Sequence, residues 1–211
     1  MYDVPHINNE KNIEVKKIDI YNICLVSSMD VLGMLVCDKR TFNNLPLEIL
    51  YFIPISFAFE LIFDLFHYIT HRLAHTKYIY KYIHKTHHKY DSNTNILASF
   101  HQDPVDLILT NLLPMYLTSK IITFSSVQFF IFLCYKTFVE VAGHSGKISN
   151  SSSFPQCVWF PKITNIELES IDHYYHHSKN NCNYSKRFSV WDKMFGTFHE
   201  KTDKEKTVTV N

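Results

Sequence analysis

Net charge is almost absent from this chain: 21 Lys and Arg stand against 20 Asp and Glu in 211 residues. No global basic field exists to gather nucleic acid, so nucleic acid is excluded as a partner. A CxxC pair is missing as well. Cys24, Cys37, Cys134, Cys157 and Cys182 are widely spaced, which excludes a disulfide framework and a thiolate metal knuckle and fits a reducing, cytosol-facing environment. The stretch from Met1 to Lys17 is polar and of mixed charge, without the basic start and apolar middle of a cleaved signal peptide. Any membrane address is therefore expected in internal segments. HExxH is also lacking, which removes the glutamate base of a zinc protease of that type. With no internal repeat and no long linker, the chain suits a single domain large enough to enclose a buried site.

Apolar runs of full spanning length are lacking too. A helix needs roughly 20 mostly apolar residues to cross a hydrocarbon core about 30 Å thick. Four stretches approach this: Ile20 to Cys37, Ile49 to Phe66, Val105 to Ser119 and Ile121 to Val139, each short or interrupted by Asp30, Glu60, Asp64 or Asp106. The last two lie back to back, with Pro114 and the Ser119-Lys120 pair marking a bend. They read as a hairpin that returns His144 to the side on which His101 begins. Arg72, Lys77, Lys81, Lys85, Lys89 and Lys147 fall on that side, the bias of cytoplasmic loops. Lys39 and Arg40 would fall on the other, which leaves one of the first two segments open to being re-entrant. The expected fold class is all-α, an integral membrane base of about four transmembrane or re-entrant helices under a cytosolic, histidine-rich helical cap. A soluble all-helical protein with ordinary core helices is the alternative. The expected division is residues 1–56 as tail and first membrane segments, 57–199 as the functional domain and 200–211 as a polar tail.

What is abundant is histidine. Of 13 histidines, 11 fall in two blocks, His67 to His101 and His144 to His177. His67, His71 and His75 recur every fourth residue and so line one face of a helix continuing the second apolar segment. His84, His87 and His88 share with His173, His176 and His177 the spacing i, i+3, i+4, which also converges on one helical face. Imidazole suits iron, zinc and copper, and neutral donors leave an ion enough charge to polarise oxygen species. The imidazoles of these clusters exceed what one ion holds. With His144 they suit a pair, which in two-metal sites stands roughly 3.5–4 Å apart. The predicted ligands are His71, His75, His84, His87, His88, His144, His173, His176 and His177.

Other positions keep two readings. His67 is a ligand, a hydrogen-bonding neighbour of one, or part of a helix interface. Asp64 is an orienting acceptor for a liganding imidazole or a helix-end charge near the headgroups. His101 is undecided, and His6 and His199 read as solvated. Trp159, Phe160, Tyr174, Tyr175 and Trp191 wall a pocket, sit at headgroup level or pack as ordinary rings. Haem held by two histidines would leave most of the others unexplained.

These boxes resemble those of the fatty acid hydroxylase and sterol desaturase superfamily of membrane proteins: HxxxH at His71 and His75, HxxHH at His84, His87 and His88, and a late HxxHH at His173, His176 and His177. His144-Ser145-Gly146 resembles the family's isolated histidine after the second membrane hairpin. The run from Asn183 to Thr197 resembles the segment after the last box, and the likeness spans roughly Phe57 to His199. Three positions depart from the pattern. Asp103 precedes Pro104 where a histidine is common, with His101 a candidate substitute. Glu140 stands where His, Asn or Gln is common, and reads as an anionic ligand or a polar helix end. Ser185 replaces a glycine, which alters a turn and removes no ligand. The resemblance implies two iron ions in a di-iron centre, molecular oxygen as oxidant, and electrons from NAD(P)H through cytochrome b5 or its reductase. It also implies a lipid substrate, sterol or fatty-acyl, hydroxylated or desaturated, and residence in the endoplasmic reticulum with the histidine cap toward the cytosol. The alternative is an altered homologue that binds lipid or acts as a scaffold.

Overall fold

A computed structural model describes residues 16–42, 44–90, 96–145 and 152–200. His6, Gly146, Lys147 and the tail after Glu200 lie outside the described residues.

Helix α1 (Lys17–Val36) starts where Asp19 reaches back to accept the Lys16 backbone N–H at 2.7 Å, a first-turn carboxylate that meets an orphan donor. Helix α2 (Leu45–Ala74) is capped by Asn44, whose side chain accepts from Leu47 N at 3.1 Å. Its 30 residues span about 45 Å at 1.5 Å per residue, well beyond a hydrocarbon core of about 30 Å. The surplus carries His67 and His71 past the apolar stretch, and the short α3 (Lys77–Tyr80) follows α2. The third apolar stretch is divided: α4 (Pro104–Leu107), a π-turn (Ile108–Leu112) and α5 (Leu113–Ser119) follow one another. Asp103 caps α4 by accepting from Val105 N at 2.9 Å, which accounts for an acid at that position. Helix α6 (Ser126–Gly143) begins at a capping box between Ser125 and Gln128, five residues later than the apolar run suggests.

Among the described residues, three helices are long and apolar enough to cross a membrane: α1, α2 and α6. The burial pattern is inverted relative to a water-soluble bundle. α2 buries Glu48, Ser56, Glu60 and Asp64 while Ile49, Leu50 and Tyr51 face outward, and Lys136 on α6 pairs with Asp30 on α1 at 2.7 Å. Charges inside and apolar side chains outside is the arrangement a lipid solvent selects. Between the helices Phe59, Phe63, Met115, Phe124, Phe129 and Phe132 form the core, with the Phe59 and Phe124 rings stacked at 4.3 Å.

One element was not expected of an all-α chain. β1 (Lys39–Arg40) pairs in parallel with β2 (Phe124–Ser125), joining the α1–α2 and α5–α6 connections at one end of the bundle. Beside it Arg40 grips both oxygens of buried Glu48 at 2.8 Å and donates to Gln128 Oε1 at 3.0 Å. Ser125 Oγ donates to Glu48 at 2.7 Å, and Gln128 Nε2 to the Glu48 carbonyl at 2.9 Å. The opposite end carries the histidines.

There residues 152–200 fold over α2 with α7 (Trp159–Ile163), α8 (Ser170–Lys179) and α9 (Val190–Met194). The clamp is Asp64, whose carboxylate accepts the backbone N–H groups of Lys186, Arg187 and Phe188 at 2.6, 3.1 and 2.9 Å. It therefore anchors a loop and orients no imidazole. Trp191 adds a bond from Nε1 to the Leu61 carbonyl at 3.0 Å.

Candidate metal centre

Each of the nine predicted ligands falls into one of two adjacent groups. His71, His75, His84, His88 and His176 form the first, and His87, His144, His173 and His177 the second, with the candidate donor atoms of each group within 4.8 Å of one another. His71 and His75 come from the end of α2, and His144 from the residue after α6. His173, His176 and His177 project from α8. The second box is not on a regular helix: His84 lies in a turn and His87–Tyr90 form a 3-10 turn. The late box does keep its three imidazoles on one face of α8, but neither HxxHH box serves a single group. Instead each divides, His84 and His88 from His87, and His173 and His177 from His176. The groups touch where the boxes split, with the His88 and His177 rings 4.5 Å apart and those of His84 and His87 5.4 Å apart.

The hydrogen bonds fix which nitrogen faces inward. His71 Nδ1 donates to the Tyr184 carbonyl at 2.7 Å, His176 Nδ1 to the Cys182 carbonyl at 2.8 Å, and His84 Nδ1 to the Asp106 carboxylate at 2.8 and 2.9 Å. A carbonyl or carboxylate oxygen only accepts, so the proton of each neutral ring sits on Nδ1 and Nε2 presents a lone pair. Those lone pairs are aimed at each other. His84 Nε2 lies 3.1 Å from both His71 Nε2 and His88 Nε2, and the buried Nε2 atoms of His75 and His176 have no protein partner. In the second group His144 Nδ1 donates to the Glu140 carbonyl at 2.9 Å, which turns the His144 Nε2 lone pair inward, and His173 Nε2 lies 3.1 Å from the Nε2 atoms of His144 and His177. Acceptors that converge without protons repel one another unless a cation lies between them. Nitrogens each bonded to one ion at about 2.0–2.1 Å stand roughly 3 Å apart. The donor set therefore fits a metal ion in each group.

Burial supports the same protonation state. Desolvation first, then the neighbouring imidazoles, hold His87, His173 and His177 well below the ordinary imidazole value. Burial takes His176 down to about 3 against the opposing bond to Cys182. Neutral imidazole is the form that ligates.

Asp106, which in the sequence is only a break in an apolar run, is the acid that orients His84. His67 lies outside both groups: its Nδ1 donates to the Thr110 carbonyl at 2.6 Å inside the π-turn, a helix-interface role. His101 meets Asn22 on α1 at 3.0 Å, away from the groups. Glu140 pairs with Lys186 Nζ at 2.5 Å and offers the metal groups only its carbonyl, through His144.

A cavity of about 120 Å³ adjoins the second group, with His144 and His173 in its wall beside apolar Phe138, Val139, Val158 and Leu168. A smaller one of about 30 Å³ touches His71, His84, His87 and His173.

The family model described as Fatty acid hydroxylase matches residues 56–197. The protein named Fatty acid hydroxylase vlmA from Lecanicillium sp is 29% identical over 104 residues, covering 47% of this chain and 28% of that protein. The match thus spans under a third of that relative's length. No solved structure matches the chain.

Proposed function

The chain belongs to the fatty acid hydroxylase family, and we propose that it is a membrane-bound, non-haem di-iron oxidoreductase that hydroxylates a lipid C–H bond with molecular oxygen. Overall, the lipid, O₂, two electrons and two protons give the lipid alcohol and water. The electrons come from NAD(P)H, delivered through cytochrome b5. The observation that carries this reading is the pair of adjacent imidazole groups with converging ring nitrogens, in which His71, His84, His176 and His144 turn their protons outward.

His71, His75, His84, His88 and His176 would hold one iron, and His87, His144, His173 and His177 the other. Iron held there supplies oxygen activation and removal of hydrogen from an unactivated carbon, chemistry no side chain provides. The protein's own share is geometry and an apolar surround. Asp106 holds His84 in the ligating tautomer, and the Tyr184 and Cys182 carbonyls do the same for His71 and His176. Phe138, Val139, Val158 and Leu168 give the adjoining cavity a largely apolar wall, which suits a methylene chain. Phe138, on the bilayer helix α6, is also 65% exposed, so the cavity wall is continuous with the surface from which a lipid arrives.

The histidine end faces the cytosol in this reading, with the endoplasmic reticulum as the membrane. Exposed Arg72, Lys77, Lys81, Lys85 and Lys89 lie at that end. At the other end the charge of Arg40 is matched by Glu48, and Lys120 pairs with Asp38 at 2.9 Å.

Lipid profiling of membranes expressing the chain beside a His87→Ala variant, with iron measured on both, tests the proposal. Two iron equivalents and an oxidised lipid are expected of the native chain, and less iron and no such lipid of the variant. Identical lipid profiles would leave a lipid-binding or scaffold role and end the oxygenase reading.

A further inference from the structure

Arg187 is wholly buried, and its guanidinium is only partly used. Nε lies 3.2 Å from Glu60 Oε2, both residues being shielded from solvent, while Nη1 and Nη2 have no hydrogen-bond partner among the described residues. Unpartnered donors this deep are costly and rare in native proteins. Its loop is otherwise well satisfied. The three backbone N–H groups of Lys186 to Phe188 meet Asp64, and Lys186 Nζ meets Glu140 and Asn111. Ser185 Oγ and Ser189 Oγ are also buried there without a hydrogen-bond partner among the described residues. Arg187 and Ser185 both form part of the wall of the 120 Å³ cavity that His144 and His173 also line.

The charge balance narrows what is missing. Glu60 already matches the charge of Arg187, so the terminal nitrogens lack an acceptor and need no counter-ion. A carboxylate would add an uncompensated negative charge near Glu60 and Asp64, whereas a neutral carbonyl oxygen would not. The guanidinium fork presents its N–H groups in one plane, suited to a planar acceptor.

We propose that Arg187, with Ser185 beside it, anchors the carbonyl oxygen of an acyl lipid, an ester, amide or thioester, and thereby selects the carbon presented to the second histidine group. An apolar cavity of about 150 Å³ accepts a benzene molecule, so this one takes on the order of six heavy atoms between anchor and histidines. The presented carbon lies within a few bonds of the carbonyl. That positional consequence rests on the oxygenase reading; the anchor itself does not.

The test uses the full iron-loaded chain in detergent micelles. Methyl palmitate and hexadecyl methyl ether, which differ by the carbonyl oxygen, compete against a fluorescent acyl probe. The native chain is expected to favour the ester roughly 10- to 100-fold. The paired variant Glu60→Gln, Arg187→Gln removes donor and counter-ion together, so ester affinity should fall to that of the ether while ether affinity and iron content stay unchanged. Arg187→Lys keeps a charge opposite Glu60 without the fork and should lose most of the preference. Equal binding of the two probes by the native chain, no binding of either, or a preference surviving in the paired variant overturns the anchor. Iron and an oxidised lipid without ester preference would remove the anchor alone, and ester preference without iron would remove the oxygenase reading alone. Oxidation at the methyl end of the chain would overturn the positional consequence.

Discussion

The two ends of the helical bundle bury polar groups in opposite ways. At the β1–β2 end Arg40, Glu48, Ser125 and Gln128 answer one another, donor to acceptor, and the network closes on itself. At the other end four imidazole protons are spent on Asp106 and on the Tyr184, Cys182 and Glu140 carbonyls, so the lone pairs of His71 and His84 face each other at 3.1 Å. A closed network contributes stability and has no need of a ligand. An open one is incomplete until a cation enters it, and this separates a candidate site from a structural cluster of equal burial.

The sharpest way to break that contrast is His84→Ala. His84 Nε2 is the common neighbour of His71 and His88, so iron in the first group should be lost and lipid oxidation should fall at least about 100-fold, read by metal analysis and product yield. Retention of two irons would refute the grouping. Asp106→Asn comes next, since it removes only the acceptor that aims His84. Iron affinity should drop roughly 10- to 100-fold, seen in a chelator competition, with the fold kept. At the closed end Glu48→Gln weakens the grip on Arg40 and should lower stability by about 1–2 kcal/mol while iron content stays unchanged. Iron loss there would show that the two ends are not separable.

Acid should give the most gradual effect. His87, His173, His176 and His177 are held below the ordinary value of 6.5 when folded, so the unfolded chain takes up protons that the folded one refuses. Stability of the iron-free protein is then full above about pH 6.5 and declines as pH falls below it. Thermal melts from pH 7.5 to 5 check the sign.

The sequence carried the boxes because helical periodicity puts His71 and His75 on one side of α2, and no compositional accident places three such clusters in order. It did not carry their division. Whether His87 joins His84 or His144 depends on how the second box turns and how α8 docks, and those are set by contacts over long separations. Asp106 illustrates the same limit. An acid in an apolar run reads as an interruption until a histidine 22 positions away is seen against it. His67 shows the converse, since it keeps the helical spacing of a ligand, yet a π-turn in the neighbouring helix supplies a carbonyl that captures it. Asp103 was legible in principle, as an acid before Pro104 is a common helix start, though the resemblance drew attention toward a missing histidine.

The carboxylate of Asp64 is separated by 122 positions from the first amide it receives. A ribosome therefore delivers the bilayer helix, with His71 and His75 at its tip, long before the loop that fastens Tyr184 and the last box above them exists. Closure of the two histidine groups is thus one of the last events in the protein's folding. A chain truncated before Lys186 would keep α1, α2, α6 and all nine grouped histidines, yet lack the amides that Asp64 receives.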